Sequence, residues 1–157
     1  MISNKRRVFL KGTLAAGTVG VAVGAGLLAP SQLLAAWPSD QILAEGFDSA
    51  ANALTGGAAM TESADITLTA PEIAENGAVV PVTVETSLDN VSEIAIFAKN
   101  NGTPLTSRYL LGDGAIPVVG TRIKMGETSD VIAAVKVGDN WMMAAREVKV
   151  TVGGCGG

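Results

Sequence analysis

Apolar and polar residues alternate with a period of two from Asp65 to Val152, clusters of Gly, Asn and Asp interrupt the alternation at short intervals, and no helical repeat falls between them. These features predict an all-β fold: an immunoglobulin-like antiparallel β-sandwich of about seven strands, with a short N-terminal helix before it and a flexible Gly-rich C-terminal arm after it. The chain then divides into an export signal (1–36), a short helical segment (37–60), the sandwich (61–152) and the arm (153–157).

The signal comes first. Lys5, Arg6, Arg7 and Lys11 precede an uncharged, Gly/Ala/Val-rich run from Gly12 to Leu28, followed by Pro30 and the small residues Ala35 and Ala36. A basic start, an apolar middle and a small-residue cleavage zone make an export signal. Arg6 and Arg7, with Phe9-Leu10-Lys11 behind them, resemble the twin-arginine pattern, lacking only the usual Ser/Thr before the pair. The run is short and glycine-rich for a membrane span, which needs about 20 apolar residues. Cleavage near Ala36 and a periplasmic location are therefore expected. The twin-arginine route carries folded proteins, and a chain with no histidine and one cysteine offers little for a metal cofactor to justify folding first. Folding with a partner that has no signal of its own is the simple explanation left, so a heterodimer is expected.

In the helical segment, Ser39 or Asp40 can cap a helix in which Leu43, Phe47, Ala50 and Leu54 recur at helical spacing, ended by Gly56-Gly57 and weakened by Gly46. Its apolar stripe should pack on the protein's own core. Strands are expected at Ile66–Ala70, Val80–Glu85, Ile94–Lys99, Leu105–Leu111, Val118–Met125, Val131–Val137 and Trp141–Val152, each with one buried face. Turns separate them at Glu75-Asn76-Gly77, Leu88-Asp89-Asn90, Asn100-Asn101-Gly102, Gly112-Asp113-Gly114, Gly126-Glu127 and Gly138-Asp139-Asn140. Pro81, inside a good strand, predicts an edge or a bulge, and an exposed edge on a secreted β-protein favours a covering partner.

Composition excludes much. The 157 residues hold 11 Lys+Arg and 15 Asp+Glu, a formal charge of −4. Without residues 1–36, seven bases face all fifteen acids, a charge of about −8. Nucleic-acid binding, which needs clustered Lys/Arg, does not fit. The absence of histidine and the single cysteine exclude Ser-His-Asp and Cys-His catalysis and multi-ligand zinc sites. No pair of carboxylates stands out as an acid/base couple. Asn90-Val91-Ser92 and Asn101-Gly102-Thr103 match the glycosylation pattern but read as turn chemistry. Arg122 and Lys124 read as a solvated face, and Trp141, Met142 and Met143 as core or interface filling.

The tail stands apart. After Val152 the chain finishes Gly153-Gly154-Cys155-Gly156-Gly157. With glycine near 7% of average sequence, four glycines around one chosen residue arise by chance about twice in 100,000 trials. A cysteine so placed has no side chains to bury it and sits on a thin arm able to enter a channel. No base neighbours Cys155, so nothing local lowers its pKa, and a thiol activated by other enzymes suits a carrier better than a catalyst. Two other readings compete. In one, Cys155 forms a permanent intermolecular disulfide in a structural protein; in the other, the chain is a small redox enzyme, which would want a resolving cysteine or an activating base.

The run Val150-Thr151-Val152-Gly153-Gly154-Cys155-Gly156-Gly157, together with Ile73 to Val82, Arg122-Ile123-Lys124-Met125 and Thr128-Ser129-Asp130-Val131, resembles the SoxY family, the sulfur-carrier subunits of the bacterial Sox thiosulfate-oxidising system. The resemblance implies a periplasmic heterodimer with SoxZ and no cofactor beyond sulfur adducts held covalently on Cys155. It also implies transient contact with the SoxAX cytochrome, which joins thiosulfate to the thiol, with the SoxB hydrolase, which releases sulfate, and in some organisms with a sulfane dehydrogenase. Gly153, Gly154, Gly156 and Gly157 would let one thiol visit these active sites.

Overall fold

The computed structural model describes residues 39–153. The export signal, with Arg6 and Arg7, lies outside the described residues, as do Gly154, Cys155, Gly156 and Gly157.

The helix predicted from Ser39 onward is two: α1 (Ser39–Ile42) and α2 (Phe47–Thr55). Gly46 is the reason. It stands at the N-cap of α2 with φ 77° and ψ 147°, a conformation that ends one helical path and starts another and that glycine adopts without a steric penalty. At the other end Gly56 takes the left-handed conformation, as expected for a glycine just past a helix. A helix as short as α2 is marginal alone, so packing must hold it; Ala50, Ala51 and Leu54 are buried.

Nine strands follow: β1 (Met60–Glu62), β2 (Ile66–Thr69), β3 (Ile73–Ala74), β4 (Val80–Thr86), β5 (Val91–Ala98), β6 (Leu105–Leu110), β7 (Val118–Ile123), β8 (Ser129–Val137) and β9 (Asn140–Val150). A six-stranded sheet has the order β1-β9-β8-β5-β6, with β3 also on β9, and faces a three-stranded sheet of order β2-β4-β7. The all-β sandwich is as predicted. The two strands beyond the predicted set, β1 and β3, are too short for alternation to reveal them. Both lie parallel to β9, pairing Met60↔Trp141 and Ile73↔Lys149, so the sheet is antiparallel except at that edge.

Between the sheets lies one core, including Val80, Val82 and Val84 of β4, Ile94 and Ile96 of β5, and Val131, Ala133 and Val135 of β8. A second core lies on the opposite face of the large sheet, where Ala95, Phe97, Ile132, Ala134 and Trp141 meet Ala50 and Leu54 of α2. The expectation of one buried face fails for β5 and β8. Every residue from Glu93 to Ala98 and from Val131 to Val135 is buried, because the helix covers the face that alternation alone would leave to water. Phe97 is fully buried and meets the Phe47 ring edge-on, centroids 5.5 Å apart and planes at 82°, a geometry aromatic quadrupoles favour. Trp141 and Met143 fill this helix-side core, whereas Met142 packs against the inter-sheet core.

One polar group is buried on this face. Glu93 is 4% exposed, and Arg108 of β6 forks onto it, its Nε to Oε1 and its Nη2 to Oε2 at 3.0 Å. Arg108 Nη1 also donates to Gln41 Oε1 at 2.6 Å. This charge pair ties α1 to the edge strand β6, and an inward charge on an edge strand discourages further strand pairing. Pro81 lies in the central strand β4, yet the ladder to β2 stops at Thr69↔Thr83, so at Pro81 the sheet is locally an edge, as the proline predicts.

Phe97→Ala is expected to destabilise the fold by about 3–5 kcal/mol through lost burial and a residual cavity, measured by urea unfolding. A loss under about 1 kcal/mol would mean that α2 does not rest on Phe97.

Candidate functional site

At one end of the sandwich the β3–β4, β5–β6 and β7–β8 turns gather around the end of β9, and this is where the cysteine-bearing tail leaves the domain. β9 ends at Val150, two residues before the predicted end. Burial explains the difference: Val148 is fully buried and Val150 partly so, whereas Val152 is 64% exposed. The apolar alternation runs on past the end of the core.

The chain is nonetheless held beyond the strand. Val150 N donates to Thr128 Oγ1 at 2.9 Å. Thr151 N donates to Ala74 O at 3.1 Å, and Thr151 Oγ1 donates to Glu75 O at 2.9 Å. Gly77 N donates to Val152 O at 2.8 Å, while Met125 N donates to Gly77 O at 2.7 Å. Residues 75–77 thus bridge the departing tail to the β7–β8 turn. That turn is braced in its own right. Asn101 Nδ2 donates to Lys124 O at 2.8 Å and its Oδ1 accepts from Gly126 N at 3.0 Å, while the Met125 side chain is fully buried beneath. Asn100 Nδ2 reaches Thr128 O at 3.2 Å.

Gly153 closes the set. A Cβ on it would collide with the carbonyl oxygen of Gly126 and lie 3.3 Å from the carbonyl carbon. Gly126 also lines an open groove of about 1080 Å³, together with Leu43, Glu45, Gly46, the Asn100–Thr103 turn and Glu127. Of the five residues read as the arm, only Gly153 is described, and it is packed in place. The others, with Cys155, lie outside the described residues.

The turn reading of the two glycosylation-like sequences holds. Asn90 has φ 59°, and the Asn101 amide is engaged in the turn it braces. Arg122 and Lys124 are exposed. Sequence reasoning did not name Gly77, Asn101, Gly126 and Thr151 as site residues. Three of the four were visible as turn residues, but nothing in a linear pattern brings three separate turns to one strand end. Among the described residues no group of three His, Cys, Asp or Glu could hold a metal ion, and no helix is long and apolar enough to cross a membrane.

The family model for the sulfur oxidation protein SoxY matches residues 51–155, from within α2 through the sandwich to the cysteine. The chain belongs to the SoxY family. Among solved structures, the sulfur carrier protein SoxY from Chlorobium limicola f thiosulfatophilum is 40% identical, over 67% of this chain and 96% of that one, with a TM-score of 0.61. A superoxide reductase (neelaredoxin) from Ignicoccus hospitalis is 16% identical, over 62% of this chain and 85% of that one, with a TM-score of 0.49. The comparison with curated proteins returned no match.

Asn101→Ala removes both Asn101 bonds to the β7–β8 turn and is expected to cost about 1–3 kcal/mol, with faster amide exchange at Gly126 as the local readout. Unchanged exchange at Gly126 would place the turn's support elsewhere.

Proposed function

We propose that this protein is a periplasmic sulfur carrier, exported by the twin-arginine route as a heterodimer with SoxZ, that holds thiosulfate-derived sulfur covalently on Cys155 and has no catalytic machinery of its own. The observation that carries the reading is that the family match runs to residue 155, so it includes the cysteine and the glycines before it. The protein from Chlorobium limicola is described as a sulfur carrier, and here Cys155 follows the last packed residue, Gly153, by two positions.

The chemistry asks little of the carrier. Oxidative coupling joins the Cys155 thiol to the outer sulfur of thiosulfate, forming an S–S bond and releasing one proton and two electrons, which the SoxAX cytochrome accepts. Hydrolysis by SoxB then cleaves the bond between that sulfur and the sulfonate, with water supplying the oxygen of the departing sulfate. A persulfide remains on Cys155 for a sulfane dehydrogenase where one is present. Every step needs an exposed thiol that several enzymes can enclose in turn. A cysteine flanked only by glycines provides the narrowest backbone on which to present one. Leu110, Ile116 and Val118, around the β6–β7 connection, are 72%, 79% and 48% exposed, apolar surface that a partner subunit would cover.

The test is the intact mass of protein taken from the periplasm of thiosulfate-fed cells, before and after reduction. Reducible additions of sulfur or thiosulfonate are expected on the wild type and none on Cys155→Ser, which should fold and bind SoxZ normally while thiosulfate-dependent electron transfer is abolished. A permanent disulfide-linked species under turnover conditions would instead favour the structural reading of the cysteine.

A further inference from the structure

The arm is read from sequence as starting at Gly153, one of four glycines that would let the thiol visit several active sites; the packing around it points the other way. We infer that Gly153 is an anchor, and that the clasp formed by the Glu75–Gly77 and Met125–Gly126 turns positions the thiol by fixing where the tether begins. Gly153 is required here for space. Its φ lies outside the left-handed region, unlike Gly46 or Gly56, yet a Cβ on it would collide with the Gly126 carbonyl oxygen. The preceding two residues are bonded to one side of the clasp, Thr151 to Ala74 and Glu75 and Val152 to Gly77. Gly77 in turn accepts from Met125 N, so one turn holds both the tail and the loop that Gly153 rests on.

The consequence is a short leash. From Gly153 the Cys155 Cα can travel at most about 7 Å, against about 10 Å were Val152 the last held residue. An enzyme acting on the thiol must therefore meet the protein at this end of the sandwich, against the surface of the β3–β4 and β7–β8 turns. The exposed side chains there include Val79, Lys124 and Val152. These positioning roles rest on the carrier reading only for their purpose; the anchor itself is a property of the fold.

Cys155 is the single cysteine, so a nitroxide can be attached to it without any other substitution. In the labelled protein, Gly153→Ala is expected to speed nitroxide motion and to raise amide exchange at Gly77, whose N–H loses Val152 O, by about tenfold. Gly126→Ala meets only Asn101 Oδ1 at 3.8 Å and should keep the wild-type spectrum, which separates the one-sided collision from general disturbance of the turn. Wild-type nitroxide motion and Gly77 exchange in Gly153→Ala would overturn the anchor. If that variant does not fold, Thr151→Val, which loses the bond to Glu75 O, decides the matter by the same two readouts. Absence of sulfur adducts on the wild-type protein would remove the carrier reading and leave these spectra as they are.

Discussion

β9 is paired with β8 over all but its last two residues, from Val137↔Asn140 to Ser129↔Val148, and its other edge is occupied at both ends, by β1 at Trp141 and by β3 at Lys149. Because a slip of one residue would turn every side chain to the opposite face, this pairing decides three things together. Trp141 and Met143 go to the helix-side core, Met142 and Val148 go to the core between the sheets, and the chain leaves the sheet beside the β3–β4 turn. A register shift would lose both cores as well as the exit point. Strong specification of register, expected where a strand is buried, is here reinforced by two cores with opposite parity.

The large sheet can carry such a load because it is covered on both sides. The small sheet buries one face and α2 the other, so β5 and β8 form the centre of a three-layer arrangement rather than one half of a simple sandwich. The buried Glu93–Arg108 pair sits at the margin of the helix-covered layer, where Arg108 remains partly exposed and also reaches Gln41. A pair of this kind adds little net stability compared with apolar packing, but removing either partner strands a buried charge. Its main contribution is to fix where α1 lies over β6, which bounds the helix-side core at its open edge.

Much of this was legible in the sequence, and the failures have physical causes. The larger strands and their turns follow from alternation and turn chemistry, and Pro81 correctly signals a missing neighbour at its own position. β5 was misread because Ala95 and Phe97 can belong to either a solvent face or a second core, and only the position of α2 decides. β1 and β3 were invisible because two- or three-residue strands carry no period. At the tail, the composition singled out the cysteine and its glycines, and the family match runs to that residue. The clasp could not be read, since it depends on backbone groups of Ala74, Glu75, Gly77, Met125 and Gly126. Backbone donors and acceptors have no residue signature, so only topology brings them together.

An anchored root bears on the energetics of the proposed carrier role. Ordering a residue's backbone costs about 1–2 kcal/mol, and a carrier whose whole tail were loose would meet that cost on every encounter with an enzyme. With Thr151, Val152 and Gly153 held by the fold, their ordering is accomplished once, during folding, and under the proposed role it is not repeated at each encounter. A longer free arm would reach further but bind more weakly per encounter and offer its thiol to more of the surroundings. Under the proposed carrier role the clasp favours presentation over reach, because Thr151, Val152 and Gly153 are held beside the β3–β4 and β7–β8 turns.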